Sequence, residues 1–164
     1  IKRLDIINSR NVNTVIIALY YKGAISGLHS VVDSKLDFVE GFRRLILSLI
    51  KEGKRVVVVY PIPKPEKPIP KYLIRMGEDG ERELEKLSFG SLQESSEIRR
   101  MLDSITSKKF IPVKTEDVFC PNIDSLRCMV KMDDNILYSD GSHLSEFGAD
   151  LLMQHIQKRL FKND

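Results

Sequence analysis

From Asn13 to Leu19 the chain runs through Thr14-Val15-Ile16-Ile17-Ala18, a short, apolar, β-branched stretch. Such a stretch predicts a strand covered on both faces. It ends in Tyr20-Tyr21-Lys22-Gly23, and the Gly- and Ser-containing segment to Ser34 reads as a loop. From Asp37 to Glu52 the apolar residues Phe38, Phe42, Leu45, Ile46 and Leu49 fall at helical spacing, widened by Val39 and Ile50. Asp37 and Glu40 resemble a capping pair, Lys51 suits the negative end, and Gly53 suits the residue just past the helix. Lys54 to Tyr60 is an unbroken β-branched run, fitted to a central parallel strand. Pro61, Pro63, Pro65, Pro68 and Pro70 then exclude regular pairing and hold the backbone extended. This segment leaves the carboxyl end of a strand, where open α/β sheets bind ligands. It serves equally well as a stiff surface connector.

Residues 77–90 are charged and Gly-containing, the composition of a solvated excursion. Ser91 and Glu94 form a capping box ahead of a helix whose buried stripe is Ile98, Met101, Leu102 and Ile105. Phe110 to Val113 reads as a further strand and Ile136-Leu137-Tyr138 as another, short one. The last helix runs from Ser145 to Leu160, with Phe147, Leu151, Leu152 and Ile156 inward and Lys158, Arg159 and Lys162 near its negative end. This order predicts an α/β fold, a three-layer sandwich with a mainly parallel sheet, in one domain over residues 1–164.

The length of 164 residues suits one domain, able to bury roughly 70% of its unfolded surface. A hydrophobic content of 42% and a charged content of 30% exclude disordered, collagenous and coiled-coil classes. No apolar run approaches the ~18 residues of a membrane-spanning helix. The net charge of +3 is spread along the chain and Trp is absent, which argues against a nucleic-acid partner. The first residue is Ile1 and no leader precedes it, so the segment carries no targeting signal of its own, and the start points to cropping or processing. Cys120 and Cys128 stand in a turn-rich stretch without the second pair or helical His pair of a zinc site. A disulfide closing this loop would stabilise by about 2.5 kcal/mol and imply an oxidising compartment. Two unpaired buried thiols in a cytosolic protein fit the spacing equally.

Candidate chemistry concentrates in Tyr138-Ser139-Asp140-Gly141-Ser142-His143-Leu144-Ser145-Glu146-Phe147-Gly148-Ala149. An Asp three residues before a His, on a Gly-containing loop entering a helix, can turn its carboxylate back onto the ring. Asp140 would then fix the tautomer of His143 and stabilise the imidazolium, while the other ring nitrogen takes a proton from a nucleophilic hydroxyl. By spacing alone, Asp140 is as readily a turn former and His143 a residue that happens to precede the helix. Ser139 and Ser142 read as turn formers and Ser145 as a helix N-cap. His29 reads as an exposed loop residue and His155 as a half-buried packing residue. Tyr20 and Tyr21 are candidates for a cleft wall, with core packing expected for at least one.

The stretch Asp140-x-x-His143-Leu144-Ser145-x-x-Gly148-Ala149 before an amphipathic helix resembles the last motif of the SGNH esterase/acyltransferase superfamily. The strand ending in aromatic residues, the strand ending in a Pro-rich segment and the late Cys120 to Cys128 pair resemble the SGNH domain fused to acyltransferase three membrane proteins. The resemblance implies a flavodoxin-like fold, with Asp140 as orienting acid, His143 as general base, and a structural disulfide between Cys120 and Cys128. It implies an extracytoplasmic domain, tethered to a membrane acyltransferase domain of the same chain, that transfers an acyl group, commonly acetyl, to a surface carbohydrate through an acyl-serine. It implies no metal or organic cofactor.

The sequence departs from the family pattern in lacking the Gly-Asp-Ser nucleophile block and the Gly-x-Asn-Asp oxyanion block. The first strand block is therefore expected upstream of Ile1, and the chain alone is expected to be inactive. Ser26 lacks the flanking pattern of a strand-to-helix elbow. The alternatives are a free-standing SGNH esterase or lipase, with water as acceptor, and a degenerate, non-catalytic glycan-binding module.

Overall fold

A computed structural model describes residues 11–21, 35–65, 67–77, 96–120 and 128–161. In chain order the elements are β1 (Thr14–Ile17), α1 (Lys35–Lys51), β2 (Arg55–Val59), α2 (Ile69–Met76), α3 (Ser96–Asp103), β3 (Phe110–Val113), α4 (Glu116–Phe119), β4 (Lys131–Met132), β5 (Asn135–Ile136) and α5 (Glu146–Phe161). They fall into two compact units, one of residues 1–61 and 95–113, the other of residues 62–94 and 114–164.

The first unit holds a three-stranded sheet of order β1-β2-β3, parallel throughout, with Ile16 beside Val57 and Val58 beside Pro112. Its central strand is the β-branched run, in which Val56, Val57, Val58 and Val59 are all buried. A strand flanked on both sides has little use for polar side chains, and from Val56 to Val59 the sequence supplies none, leaving only Arg55 at the exposed start. Val56, Val58 and Tyr60 alternate onto one face and pack with Phe42, Ile46 and Leu49 of α1 and Ile98, Met101 and Leu102 of α3. The parallel α/β character follows the sequence reading.

Helix α1 begins at Lys35, two residues earlier than the sequence pattern suggests. Its C-terminus closes as expected. Gly53 adopts φ +86°, its N–H donates to Ile50 O at 3.0 Å, and Lys54 N–H donates to Leu49 O at 3.0 Å. Two carbonyls left over by the last helical turn are thereby satisfied, in the conformation glycine adopts without a Cβ penalty.

Three expectations need correction. Strand β1 is shorter than the apolar run and is not covered on both faces, since Ile16 is 52% exposed. Among the described residues β1 lies at one edge of its sheet, so it lacks the second neighbour that β2 has. The Pro-rich segment is irregular only as far as Pro68, and Pro70 belongs to α2. Proline in a first turn loses no helical hydrogen bond, because the N–H it lacks would have had no partner there. Ile136 does not join the parallel sheet. With Asn135 it pairs antiparallel to Lys131–Met132 in a two-stranded ribbon of the second unit, turned through Asp133 at φ 51°. The predicted loop to Ser34, with Ser26 and His29, the capping box at Ser91 and Glu94, and the charged excursion from 78 onward lie outside the described residues.

Candidate active site

Asp140 and His143 sit in the second unit on a loop between β5 and α5. The loop closes at its neck, where Tyr138 and Leu144 form an antiparallel bridge. Within it, Asp140 Oδ1 accepts the backbone N–H of Ser142 at 2.5 Å and of His143 at 2.8 Å. This is the turn that an Asx residue makes with the peptides following it. Because one oxygen is committed to the backbone, the other is aimed at the ring, and His143 Nδ1 lies 2.8 Å from Asp140 Oδ2.

The bond to the His143 ring, followed by those from the His143 and Ser142 N–H groups, holds the Asp140 carboxyl down to about 2, below the ordinary carboxylate range. An ionised carboxylate only accepts, so Nδ1 carries the proton and Nε2 is left as the basic lone pair. The His143 side chain is 77% exposed and that of Asp140 52%. The dyad can therefore orient an imidazole and offer Nε2 to a group arriving from outside the loop.

The surroundings fix the loop from several directions. Ser139 N–H donates to His143 O at 3.0 Å, and Ser139 Oγ donates to Leu144 O at 3.2 Å. The Tyr138 hydroxyl, which burial pushes well above its ordinary range, stays protonated and donates to Pro63 O at 2.8 Å. At the loop tip, a Cβ placed on Gly141 would stand 3.4 Å from Pro68 Cγ. The Tyr138 hydroxyl thus ties the Pro-rich segment to the neck of the dyad loop, and Pro68 lies near enough to Gly141 to meet a side chain placed there. The sequence gives no local sign of this, since Tyr138 and Pro63 are 75 residues apart.

Cys120 and Cys128 form a disulfide, with their Cα atoms 4.0 Å apart. Beside it, Met129 N–H donates to Phe119 O, and the Phe119 ring lies 6.5 Å from that of Tyr138. His155 is half-buried on α5, with Nε2 4.0 Å from Asp117 Oδ2, and stands apart from the dyad's hydrogen bonds. In the first unit, Tyr21 is a core residue whose hydroxyl donates to Val59 O at 2.7 Å, whereas Tyr20 is exposed.

A family model described as the SGNH domain fused to AT3 domains matches residues 2–158. The chain belongs to this family. Comparison with curated proteins found no match, and comparison with solved structures found none. As an SGNH domain of this family, the chain is an acyltransferase-associated module whose partner is a membrane acyltransferase domain. No helix among the described residues is long and apolar enough to cross a membrane.

Proposed function

We propose that these 164 residues form one extracytoplasmic SGNH domain of a membrane O-acyltransferase, which passes an acyl group, acetyl in the simplest case, to a hydroxyl of a surface carbohydrate. The observation that carries this reading is the 2.8 Å contact between His143 Nδ1 and Asp140 Oδ2, with Nε2 directed away from it. Asp140 orients the ring and balances the imidazolium charge. Nε2 takes the proton of a serine hydroxyl as that oxygen attacks the acyl carbonyl, then returns it to the leaving group. In the second half Nε2 takes the proton of the carbohydrate hydroxyl as its oxygen attacks the acyl-serine carbonyl, the bond from the carbonyl carbon to the serine Oγ breaks, and the imidazolium returns the proton to that Oγ.

The 164 residues hold no Gly-Asp-Ser block, so in this reading the serine is assigned to such a block elsewhere in the full-length protein. The disulfide suits an oxidising compartment, which supports the extracytoplasmic assignment. The decisive experiment substitutes His143→Ala in the full-length protein and measures the O-acyl content of the surface polysaccharide. Loss of a general base lowers the rate by about 10²- to 10⁴-fold. Unchanged acylation would overturn the catalytic reading in favour of a glycan-binding module, and release of free acid with no acylated sugar would show a hydrolase.

A further inference from the structure

We infer that Ser145 and Gly148 are positioning residues that set the place of the His143 imidazole by clamping the neck of its loop onto the first turn of α5. The inference rests on the reading of His143 as the general base.

Ser145 makes three contacts at the neck. Its hydroxyl donates to Ile136 O at 2.6 Å and accepts the N–H of Gly148 at 3.1 Å, while its backbone N–H donates to Leu137 O at 2.9 Å. One side chain thereby caps the helix and ties it to the strand that enters the loop, a double duty that a plain N-cap does not have. Gly148 completes the clamp by what it lacks. It is buried, and a Cβ built on it would overlap the carbonyl oxygen of Leu137, with the carbonyl carbon and Cα of Leu137 next nearest. These are backbone atoms, which cannot swing aside as a flexible side chain does.

Leu137 is fully buried, its N–H donates to Val130 O, and the next residue, Tyr138, is one half of the bridge that closes the loop. Its partner in that bridge, Leu144, directly follows His143. A methyl group at position 148 therefore moves either the helix or the neck, and the neck carries the imidazole with it. A misplacement of about 1 Å at a catalytic group costs on the order of 10²-fold in rate. The clamp's own bonds run to Ile136, Leu137 and Gly148 and reach His143 only through the neck, so it bears on where the imidazole stands.

The test uses the full-length membrane protein in detergent, with 4-nitrophenyl acetate as acyl donor, and compares Gly148→Ala, Ser145→Ala, Ser145→Thr and His143→Ala. The expected result is a kcat about 100-fold lower for Gly148→Ala and about tenfold lower for Ser145→Ala, with KM within twofold of the parent. Ser145→Thr keeps the hydroxyl and restores kcat, which a general loss of folded protein would not do. If Gly148→Ala does not fold, the Ser145→Ala and Ser145→Thr pair decides. A kcat within twofold of the parent for Ser145→Ala, alongside an inactive His143→Ala, overturns the clamp and leaves the general base standing. An active His143→Ala overturns both.

Discussion

Asp140 performs two tasks with its two carboxylate oxygens, folding its own loop with one and orienting His143 with the other. Replacing it by Asn keeps the shape and one acceptor but removes the charge opposite the imidazolium. Asp140→Asn in the full-length protein is expected to lower kcat by about 10²-fold or more, measured as initial rates at fixed protein concentration. The same bonds set an acid limit for the loop. Because the folded carboxyl sits at about 2 and the ordinary value is 3.8, the stabilisation is whole above that ordinary value and vanishes as pH falls through about 2. The amide resonances of Ser142 and His143, followed by NMR, should titrate with a midpoint near the lower figure. A midpoint at the ordinary carboxylate value would mean that the hydrogen bonds are not made in solution.

Among the elements, what the sequence discloses depends on how local the cause is. Strand β2 and helix α1 are plain in the hydrophobic pattern because Val56 to Val59 of the one and Phe42, Ile46 and Leu49 of the other are buried, and Asp140 and His143 meet because three residues of one turn suffice to join them. Helix α2 is hidden by prolines that read as extended chain, and β4 and β5 are too short to show a period of two. The bond from Tyr138 to Pro63 depends on folding that no neighbouring residue announces. Two substitutions gauge the elements that are legible. Ile46→Ala, at a fully buried position of α1, should cost about 2–5 kcal/mol in urea denaturation. Gly53→Ala, at φ +86°, should cost about 1–2 kcal/mol while leaving the denaturant slope unchanged. Replacing both Cys120 and Cys128 by Ser should remove about 2.5 kcal/mol, and a smaller loss would show that the reduced loop keeps its shape.

At the scale of the whole molecule, the chain passes between its two units after Pro61, again before Ser95 and again after Val113. Each unit is thus assembled from segments distant in sequence, and the proposal of a single domain predicts one cooperative unfolding transition. Far- and near-ultraviolet circular dichroism should give coincident curves, whereas two separated midpoints would mean two domains. The parallel sheet stands in one unit and the dyad in the other, so the helix and hairpin that frame His143 belong to the later part of the chain. One property of that dyad reaches beyond its own atoms. The imidazole keeps 77% of its side chain uncovered by these 164 residues. In the proposed reaction that open flank is where the serine is seated, so the ring is left bare on the side its partner has to approach.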